Sequence, residues 1–197
     1  MKRTQLQPRA IGDRARIEVL ASPVRHELVD TLSALGGEAS ASQLAEHLGR
    51  HVDGLYYHLR LLCDSGLVSE VKANARGERL YRLAGRGRAP LRLAYRIGPK
   101  GNAQALRTYS QGLLKVAGRD FERGLTTEGV IVEGKRRQLW AARNKGWVSE
   151  NQLFEINELL ERLCQLTSQP RGGDHKMLMS CAFVMAPISA RPKRRSG

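Results

Sequence analysis

The chain of 197 residues suits one large domain or two small ones, since domains usually run ~100–200 residues, and its 41% hydrophobic content is enough to bury a core. Lys+Arg 33 against Asp+Glu 19 leaves a formal net charge of +14. Such a surplus favours a polyanionic partner, because basic groups displace counterions condensed on phosphates; a membrane surface or an acidic protein satisfies the charge argument as well. The three cysteines, Cys63, Cys164 and Cys181, lie far apart with no CxxC pair, which argues against a disulfide framework and a zinc knuckle.

The opening MKRTQLQPRAIGDR has charge but no apolar run behind it, unlike a secretory signal. The longest apolar run, MLMSCAFVMAPI at 177–188, is shorter than the ~20 residues that cross a bilayer. The expectation is a cytoplasmic protein with no membrane partner and reduced thiols.

In chain order, apolar spacing predicts a short helix at about 11–21. Ser22-Pro23 then restarts the pattern, serine as N-cap and proline at the first helical position. Val24, Leu28, Leu32 and Leu35 share one face of the second helix, and Gly36-Gly37 stops it. The third helix opens on SASQ, 40–43, a capping box in which serine and glutamine satisfy each other's exposed amides; its apolar face is Ala41, Leu44, Ala45 and Leu48. After the short turn Gly49-Arg50-His51 comes DGLYYHLRLLCDSG, a fourth helix over 52–65 with Gly66 as its C-terminal cap. LVSEVKA and RLYRLA follow, separated by NARGE, where Asn74 and Gly77 can take the positive φ of a hairpin end. Residues 11–84 therefore spell a winged helix-turn-helix.

GRGRAP lies in a basic linker at 85–100, followed by a C-terminal region at 101–189 and a basic tail at 190–197. Within that region the pattern predicts a helix over about 102–121, a strand at GVIVEG (129–134), a helix capped by Ser149, and a buried strand at 177–188. Leu153, Ile156, Leu160, Leu163 and Leu166 give the capped helix an amphipathic face. The fold class is α+β: an N-terminal winged helix-turn-helix, then a smaller α+β region for dimerisation or effector binding.

On a helical wheel Leu55, Leu59 and Leu62 fall together, while Tyr56, Tyr57 and Arg60 point away. A helix delivered by a short turn with such an outer face suits the major groove of double-stranded DNA: arginine grips guanine or phosphate, and tyrosine reaches phosphate oxygens or a thymine methyl. The alternative for the tyrosines is packing at a subunit or wing contact. His58 flanks the leucine stripe and reads as structural, and Asp53 reads as a helix-start residue. From Lys72 to Lys100 there are nine bases against one acid, Glu78. Arg76 and Arg79 bracket the hairpin tip, where a wing meets phosphate or the minor groove. The DNA-binding candidates are Arg50, His51, Tyr56, Tyr57, Arg60, Arg76 and Arg79. Arg86, Arg88, Arg92 and Arg96 can instead pair with acids of the second half.

The landmarks A-S-P-x-R at Ala21 to Arg25, L-A-E-x-L-G at Leu44 to Gly49, H-L-R-x-L at His58 to Leu62, S-G-L-V at Ser65 to Val68 and Y-R-L at Tyr81 to Leu83 stand in order. Together, over roughly a third of the chain, this segment resembles the ArsR-like (arsenic-repressor-like) winged-helix transcription regulators. The resemblance implies a DNA-binding homodimer, a repressor or activator, with the helix of Tyr56 to Arg60 as recognition helix and the hairpin as wing. The sequence departs from the metal-sensing members: the helix before the recognition helix, SQLAEHLGR, holds His47 but no cysteine. The late helix offers Glu150, Glu155, Glu158, Glu161 and Cys164 but no histidine. No metal site or cofactor is expected.

In the second half, Arg137, Trp140, Arg143 and Trp147 either line a pocket for an anionic or planar small-molecule effector or, for the tryptophans, anchor the core. Extra C-terminal segments in regulators of this resemblance dimerise the protein, and the helix from about Asn102 is the candidate contact. Cys181 reads as a small buried residue of its strand. No GxSxG, HExxH, Walker loop or dinucleotide fingerprint is present, so no enzyme is expected. The rival readings are an RNA- or ribosome-associated winged helix, given the basic tail RPKRR, and a protein-interaction winged helix.

Overall fold

The computed structural model describes residues 10–74, 77–84 and 92–188. The elements are β1 (Ala10–Ile11), α1 (Arg14–Leu20), α2 (Pro23–Ala34), β2 (Glu38–Ser40), α3 (Ala41–Leu48), α4 (Asp53–Asp64), β3 (Val68–Val71), β4 (Leu80–Leu83), β5 (Arg92–Leu93), α5 (Ala103–Leu125) and α6 (Glu150–Thr167). Three antiparallel strands in the order β2-β4-β3 form the wing sheet, and β1 pairs in parallel with β5. Helix and strand are mixed, as expected.

The local signals in the first half act as read. Ser40 and Gln43 close a full capping box at the start of α3, with Gln43 N donating to Ser40 Oγ at 3.2 Å and Ser40 N to Gln43 Oε1 at 2.9 Å. Ser22 is the N-cap of α2, but its side chain makes no capping bond; Pro23 supplies the preset φ instead. Gly49 ends α3 in the left-handed region at φ 61°, where a side chain would be strained. Among the described residues of the hairpin only Gly77 has a positive φ, 76°. Asn74 instead uses its side chain, accepting from Glu78 N at 3.0 Å and donating to the Glu78 carboxylate at 2.9 Å. The strand β2 was not expected. It is only three residues long and exists because Glu38, Ala39 and Ser40 pair with Arg82, Tyr81 and Leu80 across the chain.

The core lies between α1, α2, α3, α4 and the sheet. Ile17, Leu28, Leu32, Leu44 and Leu59 are fully enclosed, and Tyr81 caps them from β4. α5 closes this body from outside, packing on α1 and α2. At Gly112 the two come so close that a Cβ would collide with the Ala21 carbonyl oxygen. Asn102 fixes the start of α5: buried, it donates to the carbonyls of Ala94 (2.8 Å) and Gly12 (3.2 Å) and accepts from Arg96 N (2.9 Å). One amide thus ties the β1/β5 ribbon to the long helix, satisfying backbone groups that would otherwise be orphaned.

A second tie is ionic. Glu27 of α2, 7% exposed, accepts Arg50 Nη2 at 3.1 Å and faces Arg119 Nη2 of α5 at 3.2 Å. A buried carboxylate between two guanidiniums is stable only while both partners stay. Beside it, His58 of α4 is half-buried, and its Nδ1 is enclosed with no hydrogen-bond partner among the described residues.

The second half departs from expectation. α6 forms where the sequence places it, with a capping box between Ser149 and Gln152, but none of its residues is buried. Neither 129–134 nor 177–188 is a strand, so the region beyond α5 has no sheet among the described residues. Cys181 is exposed rather than buried, as are Trp140 and Trp147, which therefore do not anchor a core. The physical reason is the absence of a neighbour: a strand needs a ladder beside it, and among the described residues no sheet edge runs along these stretches. The segments touch the body at few points, among them Ser180 Oγ donating to Asp120 Oδ2 at 2.6 Å and Arg92 paired with Glu161 at 3.1 Å. That ion pair realises the alternative role read for Arg92. The tail at 190–197, residues 85–91 of the linker, including Arg86 and Arg88, and Arg76 of the wing lie outside the described residues.

Replacing Glu27→Gln leaves two guanidiniums facing a neutral amide. The expected loss is about 1–3 kcal/mol, below the usual cost of breaking a fully buried pair because both arginines reach solvent; an unchanged urea midpoint would contradict it. Burial, together with Arg25 and Arg50 nearby, lowers the His58 pKa below its ordinary value of 6.5. The fold therefore favours neutral imidazole: its stability is full above about pH 6.5 and falls as pH drops through the folded pKa. His58→Gln is expected to flatten that slope relative to the unaltered chain in urea titrations at pH 5 to 8.

Candidate nucleic-acid interface

The interface is built from the turn outward. Gly49 in its left-handed conformation reverses the chain, Arg50 N donates to Ala45 O at 2.9 Å, and Leu55 N donates to Val52 O at 2.9 Å as α4 begins. α4 is held along one stripe, Leu55, Leu59 and Leu62, each 1% exposed or less. With that stripe inward, Tyr56 (48%) and Tyr57 (56%) face solvent together with Arg60. The Arg60 guanidinium lies 5.8 Å from the Tyr57 ring centre, a cation–π contact that limits its rotamers without using its N–H donors. The His58 ring meets Tyr57 edge-on at 5.3 Å, so the histidine, kept neutral by burial and by neighbouring guanidiniums, braces the outer face from behind.

The remaining candidates divide. His51 is exposed at the turn. Arg50, by contrast, is spent inward on Glu27 and holds the turn against α2. Arg79 stands 71% exposed on the wing with its Nε 3.5 Å from Glu70 Oε1, a loose surface pair that leaves its other donors free to swing outward. Arg82, one position before the end of β4, is committed to Glu38 at 2.6 Å. The stretch read as nine bases is thus partly neutralised within the fold.

Arg137, Trp140, Arg143 and Trp147 are not gathered into a pocket. Arg137 stacks over Trp140 at 4.1 Å, but Trp140 is 67% and Trp147 97% exposed, so in the protomer they enclose nothing. A cavity of about 320 Å³ lies elsewhere, between Gly12, Asp13, Arg14, Arg96, Lys100 and Asn102. Among the described residues no group of three or more His, Cys, Asp or Glu converges as a metal site, and no helix is long and apolar enough to cross a membrane. The Cys63 thiol, near the end of α4, is pushed up by burial and by Glu70 and Asp64, which holds it in its unreactive protonated form. Glu27, Arg119 and Asn102 are not legible as site residues in the sequence, because each depends on a partner far along the chain: Glu27 on Arg50 and Arg119, and Asn102 on Gly12. The single local hint was an acid at Glu27 on the leucine side of α2.

A family model described as a helix-turn-helix domain matches residues 20–71. No curated protein matches the chain. Among solved structures, a mutant of ZitR from Lactococcus lactis is similar at 12% identity over 72% of this chain and 73% of that one, with a TM-score of 0.26. The organohalide-sensing RdhR-CbdbA1625 transcriptional regulator, in its 2,4-dichlorophenol-bound form, is similar at 15% identity over 82% of this chain and 70% of that one, with a TM-score of 0.28. The matched segment runs from the end of α1 through α2, α3 and α4 to the end of β3, and it carries a helix-turn-helix domain.

Proposed function

We propose that the chain is a sequence-specific, DNA-binding transcription regulator of the ArsR-like kind, a homodimeric repressor that responds to no metal and carries out no catalysis. Residues 11–84 would be the DNA-binding unit, 85–100 a basic connection, and 101–189 the dimerising region. One observation carries the reading: α4 buries three leucines completely and presents Tyr56, Tyr57 and Arg60 on its opposite face. A polar-aromatic surface on an immobilised helix, offered by a turn beside the β3–β4 hairpin, has the shape and chemistry of a major-groove reader. In this reading Arg60 takes a guanine or a phosphate, the tyrosines take phosphate oxygens or a thymine methyl, and His51, Arg76 and Arg79 meet the backbone. Arg50 acts through Glu27 to set the turn. A homodimer would read a pseudo-palindrome with half-sites about one helical turn apart.

Selection of bound sequences from random duplex DNA is expected to enrich such a motif. On the selected site Arg60→Ala should lose about 1–3 kcal/mol and blur preference at one base pair. Arg79→Ala should weaken all sequences alike and lower the salt slope by roughly one unit. Failure to enrich any motif, or footprints unchanged in both variants, would overturn the assignment. Structured RNA that outcompetes duplex DNA at matched salt would move it to the RNA-binding class.

A further inference from the structure

α6 is an acidic island in a basic chain. It bears Glu150, Glu155, Glu158 and Glu161 with one base, Arg162, in a protein of net charge +14. Four residues before it ends an opposite run: KRRQLWAARNK, 135–145, holds five bases and no acid. Within the protomer the two do not meet. Among the described residues Glu161 pairs with Arg92, while Glu150, Glu155 and Glu158 make no ion pair, and neither do Lys135, Arg136, Arg143 or Lys145.

Both stretches and the link between them also carry large apolar groups in water. Trp140 in the basic run is 67% exposed and Trp147 in the link 97%, while on α6 Phe154 is 67%, Leu159 62% and Leu166 57% exposed. Exposed large apolar side chains in such number mark a surface for contact with another molecule. The 18-residue α6 has its N-terminus satisfied by a complete capping box, but its apolar face is only partly covered: Ile156, Leu160 and Leu163 are half-buried, Leu153 and Leu166 exposed.

We propose that α6 of one protomer docks on the 135–145 segment of a second copy, and reciprocally, so that the acidic helix and the basic arm exchange partners across a two-fold axis. An isologous interface requires a surface that is complementary to itself, and this one is: each copy contributes a −4/+1 helix and a +5 arm, with tryptophan and leucine between the charges. The proposal specifies the interface of the homodimer proposed above and rests on that reading.

Two full-length charge-reversed chains test it: one with Glu150→Lys, Glu155→Lys and Glu158→Lys, the other with Arg136→Glu, Arg143→Glu and Lys145→Glu. In analytical ultracentrifugation at low salt, each alone is expected to dimerise at least about tenfold more weakly than the unaltered chain, because helix and arm then repel. Mixed together they are expected to recover the dimer, since one contact of the mixed pair keeps the native charges and the other has both reversed. Recovery only when all six changes sit in one chain would place the contact within the protomer and overturn the proposal. Dimers unaffected by either set would also overturn it, while leaving the dimeric regulator intact; a chain that stays monomeric throughout would overturn it together with the homodimer. Circular dichroism of each variant confirms that α6 persists. Binding to a single DNA half-site is expected to be unchanged, because α4 is untouched; a dimer that behaves as expected but enriches no DNA motif would sink the regulator reading and spare this one.

Discussion

The carboxylate of Glu27 is the point on which the architecture turns. It is nearly sealed from water, yet it holds one guanidinium from the helix-turn-helix turn and another from α5. The leucines of α4 could pack against the core in several slightly rotated poses, since hydrophobic burial is non-directional. The Arg50 contact removes that freedom by tying the residue just before α4 to α2 with a directional, charge-assisted bond. The same carboxylate fixes α5 over α2, so the long helix that leads to the C-terminal region and the turn that aims α4 share one anchor. A change in the seating of α5 therefore has a physical route to α4 through a single buried group, provided the anchor has two arrangements.

What was legible in the sequence divides by distance along the chain. The capping box at Ser40, the helix stops at Gly49 and Gly66, and the stripe Leu55, Leu59, Leu62 are each set by neighbours within a turn or two, and all appear. β2 escaped because three residues have no period; its existence depends on β4, more than forty positions on. Asn102 looked like an ordinary helix start, and only the fold shows that its amide binds three separate backbone groups. The strands expected at 129–134 and 177–188 failed for the opposite reason. Their composition has the right propensity, but propensity for a sheet is only a fitness for neighbours that the protomer does not supply.

The same distinction separates the two tryptophans from the leucines of α4. Both sets read as anchors from sequence, because large apolar side chains are normally buried. Leu55 and Leu59 sit on a helix crossed by α2 and α3, whereas Trp140 and Trp147 sit on a stretch with no element packed over it. The absence of cover explains equally why four side chains with suitable chemistry for an effector enclose no space: a pocket needs walls from more than one element.

The charge of the chain also resolves into two separate duties. α4 carries Asp53 and Asp64 against Arg60, so the helix is itself slightly acidic and, under the proposed function, would be repelled by phosphate if it came alone. Several bases near it are already spent inside the fold, Arg50 on Glu27 and Arg82 on Glu38. Under the proposed function, attraction to a polyanion would come from bases outside that helix, with Arg79 exposed on the wing, while the helix face keeps one cation, stacked on a tyrosine. Such a division would have a consequence for specificity. A helix dense in lysine would hold any duplex tightly; one whose Tyr56, Tyr57 and Arg60 gain most from matching base edges would make the correct sequence count for a larger share of the binding energy.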